Sequence, residues 1–224
     1  VLMLALDTAT PAVTVALHDA DGDRTLAASD QIDARRHGEL LLPAVDRVLH
    51  EAGRKLADVT DLVVGVGPGP YTGLRVGLAT AEAFGAALSL PVHGVCTLDG
   101  IAYASGLETP FVVATDARRK EVYWARYADA RTRLGEPAVD RPADLAERTG
   151  DVTALPSVGA GAVLYADVFS GVREDLPAHQ SAAALARLAA ERLARGEELL
   201  APRPLYLRRP DAKVPANYKV VTPR

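Results

Sequence analysis

Between Gly65 and Gly77 the chain packs five glycines and two prolines into thirteen residues, GVGPGPYTGLRVG. The run before the turn, Asp61-Leu62-Val63-Val64-Gly65-Val66, is short, apolar and rich in β-branched residues, as a buried strand requires. A helical pattern follows to about Ser89. The block therefore reads as a strand-to-helix turn, which leaves backbone N–H groups where an anion could sit. It is not a Walker loop, because Leu74 and Arg75 follow Gly73, and its glycine spacing departs from the dinucleotide fingerprint. On the residues alone, a phosphate contact and a plain tight turn both stand.

Within the helix Gly73, Gly77, Ala81, Gly85 and Ser89 fall four apart and form one stripe of small side chains. Each interior glycine costs about 1 kcal/mol relative to alanine. The penalty is tolerated where another backbone packs closely. That backbone belongs either to this chain's own sheet and helices or to a helix of another chain.

The rest of the chain sets the frame. At about 150 residues per domain, 224 residues make one large domain or two small lobes. Apolar residues are 49% of the chain, too many for disorder. The single Cys96 excludes an intrachain disulfide, no apolar run reaches the ~18 residues of a membrane span, and the first residues lack a secretory pattern. A cytoplasmic setting without membrane partners is expected. The net charge of −4 gives no global attraction for nucleic acid.

Leu2 to Leu6 is an apolar run ending at Asp7. A turn at Thr8 to Pro11 precedes the alternating Val13, Val15 and Leu17. Phe111 to Asp116, a polar turn, and then Val122 and Trp124 repeat that order at the same offset from the Asp. This is a weak internal repeat: two lobes, each opening on strand, Asp, turn and strand. Leu41, Val45, Val48, Leu49 and Ala52 predict a helix from about Arg36 to Ala52, closed by Gly53, with Pro43 either kinking it or marking its first turn. Leu90 to Val95 predicts a strand, and Leu98 to Ser105 and Ser181 to Arg195 predict helices. The stretch from Arg131 to Val172 carries no clear period. The expected fold is α/β, with a lobe over residues 1–105, a second over 106–200 whose helix 181–195 is free to pack back on the first, and a Pro/Arg-rich tail over 201–224.

Few residues point to catalysis. His18, His37, His50, His93 and His179 have no helical metal spacing, and no nucleophile elbow occurs. Cys96, after an apolar run, reads as a buried thiol. Asp7 and Asp116 either face a metal-nucleotide across a cleft or cap their own turns. Arg118-Arg119-Lys120 sits at a hairpin tip. The tail bases, Arg208 and Arg209 among them, lie near Tyr206 and Tyr218 and could touch an RNA backbone and stack on a base.

Several segments together resemble one family: Leu4-Ala5-Leu6-Asp7-Thr8-Ala9-Thr10, Arg36-His37-Gly38-Glu39-Leu40-Leu41-Leu42-Pro43, the block from Gly65 to Gly77, Asp116-Ala117-Arg118-Arg119 with Glu121-Val122-Tyr123, and Pro204-Leu205-Tyr206-Leu207-Arg208. The chain is similar to the TsaB (YeaZ) family, partner subunits in bacterial tRNA threonylcarbamoyladenosine biosynthesis. The resemblance implies a two-lobed actin/hexokinase-like (ASKHA) fold with a mixed sheet flanked by helices in each lobe. It also implies pairing with a TsaD-type catalytic subunit and a TsaE-type ATPase, homodimers when alone, and only indirect contact with tRNA. The metal-binding His-x-x-x-His of the catalytic relative aligns with Thr97 and Ile101, which offer no imidazole. Ala9 stands where actin-like phosphate loops often carry Gly, while Gly38 and Pro70 stand where the family often has Ser. The implied member is therefore non-catalytic, without a metal or a cofactor of its own, ATP or ADP entering only at the interface of the complex. The alternative is an actin-like phosphotransferase or a metallopeptidase-like enzyme.

The implied docking face takes Leu41, Val45 and Leu49 on one helix, and Gly73, Arg75, Val76, Gly77, Thr80, Ala81, Phe84 and Gly85 on the other. Candidate anion or nucleotide contacts are Asp7, Thr8, Gly67 and Gly69. Candidate RNA contacts are Arg118, Arg119, Arg208 and Arg209.

Overall fold

The computed structural model describes residues 1–208. Among them, two five-stranded sheets share one topology. The first is built from β1 (Leu2–Asp7), β2 (Ala12–Asp19), β3 (Arg24–Ile32), β4 (Asp61–Gly65) and β5 (Val92–Val95), in the order β3-β2-β1-β4-β5. The second uses β6 (Phe111–Asp116), β7 (Val122–Asp129), β8 (Thr132–Asp140), β9 (Pro156–Val158) and β10 (Gly171–Val172), in the order β10-β9-β6-β7-β8. Read from its far edge, the second order matches the first. In both sheets the first three strands are antiparallel neighbours and the last two join in parallel. The repeat of strand, Asp, turn and strand thus extends to the whole lobe.

Strand alternation divides the first core. Leu4, Leu6, Val13, Val15, Leu17, Leu62 and Val64 face α1 (His37–Glu51) and α2 (Tyr71–Leu88). Met3, Ala5, Ala16 and Val63 face the other way, against Ala182, Leu185, Ala186 and Ala189 of α7 (Ala182–Ala194). Small side chains on both sides let this helix lie close to the sheet. The second sheet sends Phe111, Val113, Ala125, Tyr127 and Val158 onto Leu98, Ile101 and Ala102 of α3 (Thr97–Ser105). Its opposite face covers Leu145 of α4 (Pro142–Arg148), Val152 of α5 (Gly150–Ala154) and Ala162 of α6 (Ala160–Leu164).

Each lobe's closing helix therefore packs on the other lobe's sheet: α3 on the second, α7 on the first. Where α3 and α7 meet, a Cβ on Gly100 would lie 2.8 Å from Leu185 Cδ1. Buried Asp99 of α3 accepts from Tyr127 Oη, Arg133 Nη1 and Arg192 Nη2 at 2.9, 2.9 and 3.1 Å, joining three elements around one carboxylate. The chain then returns along the first lobe. Leu200 and Gly94 exchange backbone hydrogen bonds, Leu205 N–H donates to Val66 O at 2.8 Å, and the Leu205 side chain touches both lobes' cores.

The predicted helices and strands outside 131–172 are present, with two differences. The first helix begins at His37, so Pro43 lies inside it on the exposed side and is not its first turn. Strand β3 is an addition that the residue pattern does not predict, as is β8 inside the stretch without a clear period. The helix does close on Gly53, which has φ +63°: Gly53 N–H donates to His50 O and Arg54 N–H to Leu49 O, the two bonds of a Schellman cap.

Leu185 is fully buried at the crossing that joins the lobes. Leu185→Ala should destabilise the protein by about 2–5 kcal/mol, the range for a buried leucine truncated in a core that cannot collapse. The shift of the urea unfolding midpoint measures it.

Candidate functional site

The turn after β1 meets the glycine turn after β4 at the C-terminal ends of those two strands. Asp7 ends β1 and is fully buried. Its Oδ1 accepts from Ala9 N–H at 2.8 Å, closing its own turn, and its Oδ2 accepts from Thr97 Oγ1 at 2.8 Å. Asp116 in the second lobe makes the same turn, accepting from Arg118 N–H at 2.8 Å. Thr97 is held in its turn by the glycine loop: its N–H donates to Gly67 O at 2.8 Å and its Oγ1 accepts from Gly67 N–H at 3.2 Å. The Gly67–Pro68 peptide is cis. Burial pushes the Asp7 carboxyl up to about 6, against the opposing effect of its two hydrogen bonds.

Thr8 makes the contact that defines the site. Its hydroxyl donates to Gly73 O at 2.6 Å and accepts from Gly77 N–H at 2.9 Å. Those are the two groups that an α-helix ordinarily joins to each other. A side chain of β1's turn is thus inserted into the first turns of α2, and only glycine admits it. A Cβ at Gly73 would lie 2.9 Å from Thr8 O, and one at Gly77 2.8 Å from Thr8 Oγ1. The glycine loop is equally close: a Cβ at Gly69 would sit 2.1 Å from Ala9 O, and one at Gly65 2.0 Å from Asp7 Oδ2.

This geometry corrects several expectations. The small-residue stripe faces the chain's own interior. Gly77, Ala81 and Gly85 are buried, and a Cβ on Gly85 would meet Val92 Cγ2 at 2.4 Å. Gly73 is partly covered by Thr8. Leu41, Val45 and Leu49 are likewise core residues. Leu41, Gly77, Ala81 and Gly85 offer no surface to another chain, while Val45 and Leu49 show an edge to a hollow between α1 and α2, and Gly73 borders another beside Thr8. Of the predicted docking residues, Arg75 is exposed and Val76, Thr80 and Phe84 are half-buried. Asp7, Gly67 and Gly69 are buried and engaged by neighbouring groups of this chain, and Thr8, whose hydroxyl is taken up by α2, borders a hollow of about 190 Å³.

Ile101 is fully buried in the core beside the second sheet, and Cys96 is buried, its thiol pushed up to about 12 by desolvation. Such a thiol is a packing group, with little thiolate at neutral pH. Arg118 and Arg119 are exposed. Arg208 has turned inward: Nη1 donates to Ala117 O at 2.8 Å, Nη2 to Arg118 O at 3.3 Å, and the guanidinium pairs with Glu121. It holds the hairpin rather than facing a ligand. Arg209 lies outside the described residues.

Two buried groups escaped the sequence reading. Gln180, just before α7, donates to Ala12 O at 3.0 Å and accepts from Thr10 Oγ1, so the second lobe holds the first lobe's turn. His37 Nε2 lies 2.7 Å from Thr10 O. A lone Gln ahead of a helix carries no sequence signal for such a contact. The helix start at His37 was legible, its side-chain partner was not.

Residues 30–216 match the family model described as TsaD, tRNA N6-adenosine threonylcarbamoyltransferase. The structure titled YeaZ from Pseudomonas aeruginosa superposes with a TM-score of 0.76 at 30% identity, over 92% of this chain and 99% of that one. The chain belongs to the TsaB/YeaZ family. Its two-lobed α/β architecture is the actin-like one of that family. An uncharacterized protein of Mycobacterium leprae is 44% identical over 95% of this chain, and the match spans 56% of that protein's length. The tRNA threonylcarbamoyladenosine biosynthesis protein TsaB of Escherichia coli is 39% identical over 128 residues, 56% of this chain and 54% of that protein.

The raised Asp7 pKa makes a pH-dependent test. An acid whose folded pKa lies above its unfolded value of 3.8 favours the folded state fully below that value, and the benefit is lost as pH rises through about 6. Ionised Asp7 therefore opposes folding by roughly 3 kcal/mol at neutral pH. Asp7→Asn should gain stability relative to the native chain between pH 4 and pH 7. Paired thermal melts of the two proteins across that range check it; a difference that shrinks with rising pH contradicts the burial argument.

Proposed function

We propose that this chain is a non-catalytic assembly subunit in tRNA threonylcarbamoyladenosine biosynthesis. In this reading it pairs with a TsaD-type catalytic subunit, works with a TsaE-type ATPase, and carries out no transfer itself. The name of the E. coli relative and the family model supply the pathway.

The observation that carries the non-catalytic reading is the filled hinge. In an actin-like cleft the strand-end carboxylate and the glycine turn are where a phosphate would be expected to approach. Here Ala9 O lies where a Cβ of Gly69 would go, Asp7 holds Ala9 and Thr97, and Thr8 holds α2. ATP or ADP then belongs only where a partner completes the site. Thr97 and Ile101, at the positions the resemblance aligns with metal-binding histidines, have a hydroxyl already engaged and a hydrocarbon side chain.

Docking is assigned to the outer faces of α1 and α2. Leu42 is 54% exposed, and a hollow of about 360 Å³ runs between the two helices past Leu42, Val45, Leu49, Leu56 and Phe84. Arg75, Val76 and Thr80 continue the face along α2. Exposed apolar side chains beside a groove suit a helix of a sister subunit.

Light scattering of the chain with its cognate TsaD-type subunit tests the pairing. A defined complex is expected, and Leu42→Asp or Thr80→Arg should weaken it at least ~10-fold, as loss of a central contact does, with unfolding curves unchanged. Undiminished assembly by both variants contradicts the assigned face. Threonylcarbamoyl transfer by the purified chain alone contradicts the non-catalytic role.

A further inference from the structure

His18 is a buried base that neither the hinge nor the docking face uses. It is the penultimate residue of β2, and its side chain is fully buried. Strand alternation puts it on the face of Ala16, the face that packs against α7. Its Nδ1 lies 3.4 Å from Thr25 Oγ1 of β3, and its Nε2 has no hydrogen-bond partner among the described residues. A buried nitrogen left unpaired is uncommon in a folded chain and asks for a reason. Asp23 Oδ1 stands 3.9 Å from that Nε2, too far for a hydrogen bond.

The Asp23 carboxylate has a second claimant. The same Oδ1 lies 3.4 Å from Nε of Arg187 on α7. Asp23 sits in the turn between β2 and β3 at a φ of +42°, and its side chain is 72% exposed, so the carboxylate has room to move. The Arg187 guanidinium also stands 6.0 Å from the ring centroid of Tyr103 on α3. The groups around His18 come from four elements. β1 sets apolar Met3 opposite it, β3 brings Thr25, β2 and its turn bring Asp19 and Asp23, and α7 brings Arg187. Asp21 of the same turn is paired with the N-terminal ammonium. Burial holds the imidazole below its ordinary value of 6.5; Asp23 and Asp19 oppose that effect and Arg187 adds to it. His18 is therefore neutral at neutral pH. A base held low in this way favours the folded state fully above 6.5, and the benefit is lost as pH falls through the folded value.

We propose that His18, Asp23 and Arg187 form an acid-sensitive latch between the first sheet and α7: neutral His18 leaves the Asp23 carboxylate to Arg187, and protonated His18 draws it inward and releases α7. The protonated ring has two donors, and the second needs an acceptor that the neutral ring does without. A movement of about 1 Å brings the Asp23 oxygen into hydrogen-bond range. The exchange runs toward His18 because an unpaired charge in the interior costs far more than a surface ion pair contributes. The latch goes beyond the pairing role and stands or falls separately from it.

Two measurements on the full chain test the latch. Histidine-selective ¹⁵N labelling follows each imidazole by NMR between about pH 4.5 and pH 8, with His18→Gln identifying the His18 signal. The His18 midpoint should lie below 6.5, fall further in Asp23→Asn and rise in Arg187→Leu. Hydrogen exchange of the α7 amides, corrected for intrinsic rates, reads the release. One pH unit below the His18 midpoint it should be about two- to five-fold faster than at neutral pH, the span that loss of one exposed ion pair sets. Asp23→Asn, which suits the left-handed backbone, should exchange fast at both. The Asp7 carboxyl titrates nearby with the opposite effect on stability, so the change is read against His18→Gln, which should show none of this loosening. A His18 ring that stays neutral throughout, or titrates at its ordinary value whatever stands at positions 23 and 187, overturns the proposal. So does α7 exchange that acid leaves unchanged. Equal loosening in His18→Gln also defeats it, since another group is then the sensor. The pairing test with Leu42→Asp is unaffected by any of these results.

Discussion

One hydroxyl organises the hinge of this molecule. Thr8 stands between Gly73 O and Gly77 N, so the turn after β1 and the first turns of α2 are parts of one hydrogen-bonded unit. A buried donor or acceptor left unpaired costs about 1–3 kcal/mol, and two helix groups depend on this side chain. The approach requires glycine at both helix positions, and the same closeness recurs at Gly69 against Ala9 and at Gly65 against Asp7. What resembles a phosphate cradle in sequence is in space a joint between a strand end and a helix.

The second lobe repeats the plan with a different outcome. Its glycine turn also presses on the first strand: a Cβ at Gly159 would lie 2.3 Å from Ala114 O, and one at Gly161 2.6 Å from Thr115 C. Its Asp makes the same turn to the residue two ahead. Asp7, however, is sealed beneath Thr97, whereas Asp116 is partly open and leads into the cationic hairpin. One copy of the motif has become interior structure, and the other presents charge. The exchange of α3 and α7 between lobes, with Asp99 joining Tyr127, Arg133 and Arg192, binds the two halves into one cooperative body.

Much of this was legible from residue pattern. The Asp-turn repeat announced two similar lobes, the run from Gly65 announced a strand, a turn and a helix, and Gly53 marked a helix end. Strand β3 was not legible because it is an outer strand with half-exposed, weakly alternating residues, and β8 because Gly135 and Pro137 interrupt it. Residues 142–172 form short elements whose apolar residues, such as Leu145 and Val152, are too sparse to show a period. The small stripe was ambiguous for a physical reason. Glycine reports that a backbone is near, and only the folded chain tells whose backbone it is. Arg208 is ambiguous in the same way, since a basic tail residue gives no sign that carbonyl oxygens of a distant turn await it.

The account rests on the Thr8 bridge, and the comparison of Thr8→Val with Thr8→Ser tests it most directly. Valine keeps the shape and removes the hydroxyl, while serine keeps the hydroxyl and removes a methyl. In equilibrium urea unfolding the valine variant should lose about 1–3 kcal/mol and the serine variant distinctly less. A valine variant as stable as the native chain would mean that α2 is held by packing alone, and that the joint described here is not what closes the hinge.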